Sequence, residues 1–541
     1  MRLAVVGAGP KALFCVERLV ARGPARGPLR IVVLDPAPPG TGAAYATGLS
    51  TIWRLNVTSA VVDAAVRGGD APTPFAVPTF DQWRAARGEA APLDPYPPRA
   101  LVGCYLADQW RAVAAHLPAG WTLEHRRATA RRLTRAGGRW SVDGEEFDEV
   151  LLATGHAADW PGALRHGWSG PVPLVPAVYP CDGLDAIPAQ ATVVLRGAAL
   201  TFLDAALALT EGRGGAFAAH GAVPRYVPGP EQVYRLVPVS RTGRFMVPKP
   251  DPRWVAPLGL AELAGPAAHR IRARPGDVAA ALGAVEATAG RYLARAGGTT
   301  TDAPLPVAGL NRRGRGRSAL AQLDHDVAVA AGTAAPDATW ALGQAWRDLY
   351  GALVAALSFE RPTPRDWRRF AAAAAALEPV GFGPPLVNAR KLQALGRAGI
   401  LDDAALTGRL SLHEALARAR DLTVPDGLLD TRALTPGTPA PTGWAGVEAV
   451  VVAVDAVLPP PGITTGLLAH AEIDELLCRA PGRRGVRVDA DLACLDARGA
   501  RIPGLSAVGR PTEDVVVGND TLDRRLHDGP DRWARRVLRR M

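Results

Sequence analysis

The feature that most constrains the fold is a glycine-containing turn between an apolar run and a helix-patterned stretch. Residues 2–6 form a short apolar run suited to a buried parallel strand, and Gly7-Ala-Gly-Pro-Lys-Ala follows directly. An apolar-periodic stretch then leads to a second apolar run, 29–34, which ends at Asp35. Strand, glycine turn, helix, strand and terminal acid form the fingerprint of a dinucleotide-binding unit. We therefore predict an α/β fold with a nucleotide site here; the alternative is a glycine turn that binds nothing.

Each position of this turn has a physical role in the predicted site. Gly7 permits the tight turn, Gly9 lets the backbone approach a pyrophosphate, and Ala12 lets the helix pack closely on the strand. The unpaired N–H groups and partial positive charge of the helix N-terminus favour phosphate. Asp35, at the end of the second strand, can accept hydrogen bonds from ribose hydroxyls.

Length and cysteine usage exclude several other classes. A chain of 541 residues is long enough for two or three domains. Its five cysteines are scattered without a CxxC pair, which speaks against a disulfide framework, a zinc site and a dithiol reductase. No segment resembles a signal peptide, and no apolar run is long enough to span a bilayer. We expect a cytoplasmic protein with no metal and no membrane partner.

The net charge of +10 is weak evidence for nucleic-acid binding. Only Lys11, Lys249 and Lys391 are lysines among the 62 basic residues, and alanine, glycine and proline abound, which indicates the coding bias of a GC-rich genome. We predict no nucleic-acid partner. The basic cluster at 312–317 and the basic tail at 524–540 are interpreted as solvated surface, although a carboxylate-binding loop remains open for the first cluster.

A second unit follows an apolar strand that closes on small residues. The run 147–152 predicts a parallel strand, and it ends in Ala-Thr154-Gly155, where small side chains let backbone lie close to a cofactor. This pattern is typical of two-dinucleotide flavoproteins, at the crossing from the flavin domain to the pyridine-nucleotide domain. A further strand, 192–195, leads into a turn at Gly197 and a helix that contains Asp204.

The second turn departs from the usual fingerprint at one position. Ala199 stands where a second glycine is usual, and its Cβ would push a pyrophosphate away. A small shift could accommodate the alanine, or the site could be weak or inactive. Downstream, Arg241 or Arg244 could pair with a 2′-phosphate and select NADPH over NADH. The alternative for each is a surface arginine.

The stretch from about 250 to 441 is alanine-rich and helix-patterned. It predicts helices at 276–296, 318–331, 339–357, 364–377 and 402–419, separated by proline- and glycine-rich breaks. We interpret it as an inserted helical domain that shapes the substrate pocket. His269, His325 and His413 have no second ligand at metal-binding spacing, which favours surface or capping roles.

The last hundred residues predict a return to the first domain. A strand-like run at 447–457 makes that return, 486–499 suggests a hairpin, and a final strand, 502–509, ends in glycine. The stretch 121–142 alternates like a small antiparallel ribbon, and 520–540 reads as a helical, solvated end with a break at Gly529-Pro530.

Six stretches together resemble the bacterial FAD–NAD(P)-binding protein family: VVGAGPKALFCVERL, LNVTSAVVDAA, YPPRALVGCYL, LLATGH, VVLRGAALTFLDAALALTEGRGG and GLSAVGRPTEDVV. That family is similar to flavin-containing and N-hydroxylating monooxygenases, and it includes flavin-dependent aspartate N-hydroxylases. The resemblance implies FAD reduced by NADPH, uptake of O₂ as a C4a-hydroperoxide, and attack by a substrate nucleophile on its distal oxygen. No single catalytic side chain is required, because the cofactor supplies the chemistry.

The resemblance also implies a domain plan and a set of site residues. A two-dinucleotide-binding-domain flavoprotein would have the first part of a Rossmann-like FAD-binding domain at 1–190, an NAD(P)-like segment at 191–250, the helical insert at 251–440 and a return to the FAD domain with a C-terminal helix at 441–541. Asn56 would lie near the isoalloxazine; a turn-capping role is its alternative. The predicted cofactor-binding residues are Gly7, Gly9, Pro10, Lys11, Ala12, Asp35, Asn56, Thr154, Gly155, Gly197, Thr201, Arg241 and Gly509.

Three functions remain in view. The first is an FAD-dependent monooxygenase that N-hydroxylates an amino acid or other small amine in a biosynthetic pathway, with NADPH and O₂ as partners. The second, favoured by Ala199, is another flavin oxidoreductase or oxidase without a working NADPH site. The third is a non-catalytic flavin- or nucleotide-binding protein. The substrate and the oligomeric state stay open.

Overall fold

Two mainly parallel sheets organise the described part of the chain. The computed structural model describes residues 1–23, 27–62, 64, 77–88, 95–170, 172–179, 182–297, 302–421 and 450–541. The strands are β1 (Arg2–Val6), β2 (Leu29–Leu34), β3 (Trp121–Arg126), β4 (Leu133–Ala136), β5 (Arg139–Val142), β6 (Glu145–Phe147), β7 (Glu149–Leu152), β8 (Leu174–Val175), β9 (Thr192–Arg196), β10 (Ala216–Ala218), β11 (Arg225–Val227), β12 (Arg235–Val239), β13 (Val451–Asp455), β14 (Ala493–Leu495) and β15 (Arg501–Ala507).

The helices fall before, between and after these strands. They are α1 (Pro10–Arg22), α2 (Phe80–Ala85), α3 (Arg99–Ala115), α4 (Asp182–Asp185), α5 (Leu200–Ala208), α6 (Pro252–Val255), α7 (Leu260–Arg272), α8 (Val278–Arg295), α9 (Ala319–Ala330), α10 (Ala338–Leu357), α11 (Pro364–Gly381), α12 (Leu386–Arg397), α13 (Ala404–Thr407), α14 (Leu412–Asp421), α15 (Gly466–Ile473) and α16 (Gly529–Arg539). No single helix among the described residues is long and apolar enough to cross a bilayer; α11 and α12, bent by 77° to each other, meet that test only as a pair.

The first sheet has the order β14-β15-β7-β1-β2-β3. Strand β1 lies between β2 and β7, parallel to both, and four of its five residues are buried. Such two-sided burial explains the unbroken apolar run from which this strand was predicted. The strand, turn, helix and strand expected from the first forty residues are all present. The region 121–142 differs from the predicted antiparallel ribbon, because its first strand, β3, joins this sheet parallel to β2. Within this region, the antiparallel pairing is limited to β4 and β5.

The second sheet repeats this plan with the order β12-β9-β13-β8, all parallel. Strand β13 pairs with β9, and all five of its residues are buried. The expectation that this strand returns the chain to the first domain is therefore wrong. Its apolar pattern correctly predicts a central parallel strand, but the pattern does not distinguish one sheet from another. The beginning of the predicted run, 447–449, lies outside the described residues.

The predicted helical insert consists of two groups of helices. Helices α7, α8, α10 and α11 share one apolar core, whereas α9, α12, α13 and α14 pack mainly on the second sheet. Helix α7 was missed because it contains Pro266, and α12 was missed because it follows Pro384-Pro385. The predicted helix at 402–419 is broken into α13 and α14. The domain boundaries stay predictions, and the one at 440 falls outside the described residues.

The C-terminal helix is part of the first core, not a solvated end. Trp533, Ala534 and Val537 of α16 are fully buried against α1. On β7, the fully buried carboxylate of Glu149 accepts hydrogen bonds from Arg536 at 2.9 Å and from Arg540. The basic residues that suggested a solvated end include those that fasten this helix, and Gly529-Pro530 begins the helix instead of breaking it.

A buried ion pair joins the unit built on the first sheet to the unit built on the second sheet. Arg99, the first residue of α3, lies 2.7 Å from the Asp204 carboxylate on α5, and the Asp204 side chain is 3% exposed. The Tyr179 hydroxyl also donates to that carboxylate, and the Trp53 indole donates to the backbone carbonyl of Asp204 at 2.8 Å. The carboxylate is thus paired and hydrogen-bonded, which a buried charge requires.

We expect Asp204→Ala to lower the free energy of unfolding by about 3–5 kcal/mol, because Arg99 is left as an uncompensated buried charge. Urea denaturation followed by tryptophan fluorescence measures the loss. The matched control is Glu124→Ala, which removes an exposed partner of Arg30 and Arg126 and is expected to cost far less, because solvent screens exposed ion pairs. Equal losses in the two variants would contradict the structural role of the Arg99–Asp204 pair.

Candidate functional site

The first glycine turn has a backbone that only glycine adopts readily. Gly7 has a φ of +95°, and its N–H donates to the carbonyl of Leu34 at 2.8 Å. A Cβ on Gly7 would lie 2.3 Å from the carbonyl oxygen of Ala153 and 3.1 Å from the Cα of Thr154. The tight turn predicted for Gly7 is therefore present, and it brings the glycine turn against the end of β7.

Gly9 differs from Gly7 in that its backbone conformation does not require glycine, but the space beside its Cα is open to a ligand. It is the N-cap of α1 with φ −74° and ψ −173°, a backbone that any residue adopts, and no side chain caps the helix. A Cβ on Gly9 would meet only the Cα of Gly42, at an ordinary 3.7 Å. The protein's own atoms thus leave room at a helix N-terminus whose N–H groups have no side-chain acceptor. This arrangement fits a pyrophosphate, as does Pro10 at the first helical position.

Asp35 holds the glycine turn as well as ending β2. One carboxylate oxygen accepts the Ala8 N–H at 2.7 Å, and the other accepts the Ala37 N–H at 2.8 Å. Each carboxylate oxygen can accept more than one hydrogen bond. The predicted contact between Asp35 and a ribose therefore remains compatible with the bonds observed.

Three more predicted residues meet at the same edge of the first sheet. Thr154 and Gly155 follow β7, and Gly509 follows β15, which pairs with β7. Gly509 has a φ of +76°, and a Cβ there would lie 3.0 Å from the Cγ of Lys11. The Lys11 ammonium donates to the carbonyl of Thr521 at 2.6 Å, and burial lowers its pKa to about 8. Lys11 therefore links the glycine turn to the C-terminal segment, beside the predicted cofactor.

Asn56 contacts the helical region. Its amide donates to the carbonyl of Phe382 at 3.1 Å, just beyond the end of α11. We use the name "seam" for the contact region formed by Asn56, Tyr96, Tyr350 and residues 379–384. Tyr350 of α10 packs its ring 4.9 Å from that of Phe382, and a Cβ on Gly518 would lie 3.1 Å from the Tyr350 ring. The seam therefore adjoins the first unit, the bundle and the C-terminal segment.

The second unit reproduces the geometry of the first turn. Gly197 has a φ of +126°, its N–H donates to the carbonyl of Val239 at 2.8 Å, and a Cβ there would lie 3.0 Å from the carbonyl oxygen of Ala456. Ala199 is the N-cap of α5 with extended backbone, φ −101° and ψ −158°. The alanine therefore leaves the backbone of the turn intact, and only its Cβ distinguishes it from Gly9. Thr201 lies buried in the first turn of α5.

The end of β12 is basic where the end of β2 is acidic. Ser240 follows the strand at the position that Asp35 occupies in the first unit, and the exposed Arg241 comes next. Arg244 donates to the carbonyl of Leu310 at 3.1 Å, and its pKa is lowered by burial and by nearby arginines, namely Arg313, Arg409 and Arg315. A strand end that lacks an acid and is surrounded by guanidinium groups suits a 2′-phosphate.

Sequence reasoning missed the ionisable groups of the seam and its surroundings. Glu378 is exposed to solvent on the last turn of α11, yet desolvation by neighbouring protein atoms raises its pKa to about 7. The carboxylates of Asp520 and Glu513 add to this rise, while Asp520 itself accepts a hydrogen bond from Arg510 at 3.0 Å. Glu378 lies more than a hundred positions before the other three residues in sequence, so no local motif signals the group.

Neither the histidines nor the cysteines of the described part form a metal site. No group of three or more His, Cys, Asp or Glu side chains there could hold a metal ion. His325 lies 3.1 Å from the Asp337 carboxylate, and the His413 ring lies 6.5 Å from that of Trp168. The cysteines that the structure describes are unpaired, and Cys181 lies outside it.

Comparison with known proteins agrees with the geometry of the first unit. The family model described as FAD-NAD(P)-binding matches residues 4–157. The chain is similar to the L-aspartate N-monooxygenase (nitrosuccinate-forming) of Streptomyces cremeus, with 33% identity over 282 residues, which are 45% of this chain and 42% of that protein. It is also similar to the nitrosuccinic acid synthase of Aspergillus oryzae, with 31% identity over 44% of this chain and 40% of that protein.

These matches confirm the predicted resemblance and the FAD-NAD(P)-binding domain. The chain spans about two fifths of the length of the curated relatives it matches. Among solved structures, the FAD-bound cadaverine monooxygenase of Erwinia amylovora is similar over 99% of this chain and 93% of its own, with 9% identity and a TM-score of 0.40.

We expect Gly9→Ala to fold normally and to lose most of its affinity for flavin, because the added methyl makes only an ordinary contact with Gly42 but would clash with a bound pyrophosphate. Flavin retained after gel filtration and the unfolding midpoint are measured together. Gly7→Ala is the contrasting variant: its strained φ and its contact with Ala153 should lower stability itself, by about 1–3 kcal/mol from backbone strain alone. Full flavin retention by Gly9→Ala would contradict the assigned pyrophosphate position.

Proposed function

We propose that this chain is an FAD-dependent monooxygenase that uses NADPH and O₂ to hydroxylate the nitrogen of an amino acid or other small amine in a biosynthetic pathway. The observation that carries the proposal is the pair of matching glycine turns, one on each parallel sheet, in units that are joined by a buried ion pair. One strand end is acidic and the other basic, as expected for two different nucleotides. The similarity to N-hydroxylating relatives supports this reaction class.

The first unit would hold FAD. Gly7, Gly9 and the N-terminus of α1 would receive the pyrophosphate, Asp35 the ribose, and Asn56 with Gly509 the region near the isoalloxazine. FAD reduced by NADPH supplies the activation of O₂, and the protein positions the reactants and excludes water. Lys11, between the turn and the C-terminal segment, places a cation beside this cofactor.

The second unit would hold NADPH. Gly197, Thr201 and the N-terminus of α5 would face its pyrophosphate, and Arg241 would pair with its 2′-phosphate. The extended backbone at Ala199 supports a working site, because a bound pyrophosphate would have to move only far enough to clear one methyl group. The same methyl favours the second candidate, an oxidase or other flavin oxidoreductase that has no NADPH site.

An amine must lose its proton before its nitrogen can act as a nucleophile. Glu378 is suited to accept that proton, since a base works best when its pKa is near the working pH. The carboxylate would act as a general base at the end of the seam. Its distance from Asn56 along the chain explains why the sequence suggested no catalytic side chain.

The decisive experiment follows the visible spectrum of the purified protein anaerobically after NADPH is added. Flavin absorbance that bleaches, followed by hydroxylamine formation from an amine in air, supports the monooxygenase. Flavin that stays oxidised with both NADPH and NADH favours the oxidase alternative. A protein that takes up no flavin after reconstitution contradicts both.

We expect Arg241→Ala to raise the KM for NADPH by about 10- to 100-fold while leaving the KM for NADH unchanged, because a charge-assisted bond to the 2′-phosphate is lost. Anaerobic flavin reduction at varied nucleotide concentration measures both constants. The highly exposed Arg253 offers a control, since Arg253→Ala removes a cation that pairs with Asp251. An equal loss for NADH and NADPH would contradict the 2′-phosphate contact.

We expect kcat/KM for the amine to rise as pH increases through about 7, because Glu378 accepts a proton only in its ionised form. Glu378→Gln should remove this limb and lower kcat/KM by about 10²–10⁴-fold at pH 8. The rate of flavin reduction by NADPH, measured in the same variant, should not change. A retained limb in Glu378→Gln would show that another group accepts the proton.

A further inference from the structure

Two cations, Lys249 and Arg347, lie at the seam. The backbone N–H of Lys249 donates to the carbonyl of Pro384 at 2.9 Å, and its ammonium lies 6.0 Å from the centre of the Tyr96 ring. Arg347, on α10, donates to the carbonyl of Gly381 at 2.8 Å and to the side-chain oxygen of Gln344. Within the described residues, neither side chain forms an ion pair with a carboxylate. Both cations therefore have bonding capacity left for a ligand.

The carboxylate nearest to Arg347 along the chain is engaged elsewhere. Asp348 accepts hydrogen bonds from the Tyr292 hydroxyl at 2.8 Å and from Gln344 at 3.0 Å. The other two lysines of the protein have polar partners: Lys11 donates to Thr521, and Lys391 lies 2.5 Å from the Glu211 carboxylate. Among the described residues, Lys249 differs from both in that its ammonium contacts an aromatic ring and has no hydrogen-bond acceptor or carboxylate partner.

Electrostatics indicates that this pair of cations is built for an anion. The pKa of Lys249 is lowered to about 7, mainly by burial and in addition by the nearby Arg347 guanidinium. Burial also lowers the pKa of Arg347 to about 10. Two like charges that are partly shielded from water raise the free energy of the ligand-free protein, and an anion between them would offset that cost.

The same short segment connects these cations to the predicted reaction site. Residues 381–384 receive hydrogen bonds from Arg347, from Asn56 and from the backbone of Lys249. Glu378 lies three residues before this segment begins, on the last turn of α11. The two cations and Asn56 therefore contact one and the same segment of the chain.

We propose that Lys249 and Arg347 form a subsite for a carboxylate group of the substrate, so that the substrate is an amine that also bears a carboxylate. This inference rests on the proposed function for the role of the amine. Binding alone is involved: the carboxylate accepts charge-assisted hydrogen bonds from the ammonium and the guanidinium.

The test measures binding of succinate, a dicarboxylate without an amine, to the flavin-loaded protein by calorimetry. Wild type should bind succinate, Lys249→Gln and Arg347→Gln should each bind at least tenfold more weakly, and Lys249→Arg should retain binding. Lys391→Gln is the matched control and should bind like wild type. Absence of binding to wild type, or equal binding by all variants, overturns the subsite.

The pH dependence of binding gives a second readout. The groups that face the cations are Tyr96 beside Lys249, and Asp348 and Tyr292 beside Arg347. Because Lys249 loses its proton above about pH 7, succinate affinity should fall as pH rises from 6 to 9. Lys249→Gln should flatten that fall; an unchanged slope contradicts the role of Lys249.

Flavin reduction separates this inference from the proposed function. Anaerobic bleaching of the flavin by NADPH should be unchanged in Lys249→Gln. Slower bleaching would mean that the two cations serve the flavin or the nucleotide, and it would overturn the carboxylate subsite. With L-aspartate as the amine, Lys249→Gln should raise KM at least tenfold with a smaller effect on kcat. Succinate binding without hydroxylamine formation from any amine would leave the subsite standing and reject the proposed function.

Discussion

The ion pair between Arg99 and Asp204 fixes how the two nucleotide-binding units face each other. A flavin and a nicotinamide can react only when their rings meet, so the angle between the two sheets matters as much as either site. Separating Arg99 from Asp204 leaves a charge in an apolar contact, which is far more costly than losing a contact between apolar side chains. Tyr179 and Trp53 complete the hydrogen bonds of Asp204, so the pair favours one orientation of the units over its alternatives.

Within that orientation, the two units use one backbone design for two different tasks. Gly7 and Gly197 both take a positive φ, both donate to the end of the neighbouring strand, and both lie against a carbonyl that follows the next strand. The differences lie in side chains: an acid or a serine after the strand, and a hydrogen or a methyl at the helix N-cap. In the proposed function, the shared backbone would supply phosphate binding, and a few side chains would select the nucleotide.

A feature could be predicted from the sequence when the residues that determine it lie close together in the chain. The turn at Gly7 was predictable because strand, turn, helix and acid lie within forty residues of one another. The sheet that β13 joins was not, because a fully apolar strand fits either sheet. Helix α16 was mistaken for a solvated end because the fully buried Glu149, which binds its arginines, lies nearly four hundred residues earlier. Lys249 and Glu378 carry no local signal, since only tertiary contacts bring them to one segment and shift their pKa values.

The order of strands in the first sheet also has a consequence for synthesis of the chain on the ribosome. Strand β7 pairs on one side with β1, which is made early, and on the other with β15, which follows about 350 residues later. At ordinary rates of translation that interval lasts roughly 20–70 s. During it, the edge of β7 has no strand to pair with, whereas α7, α8, α10 and α11 can already pack together. The newly made chain must therefore keep an apolar strand edge from aggregating until its last hundred residues emerge.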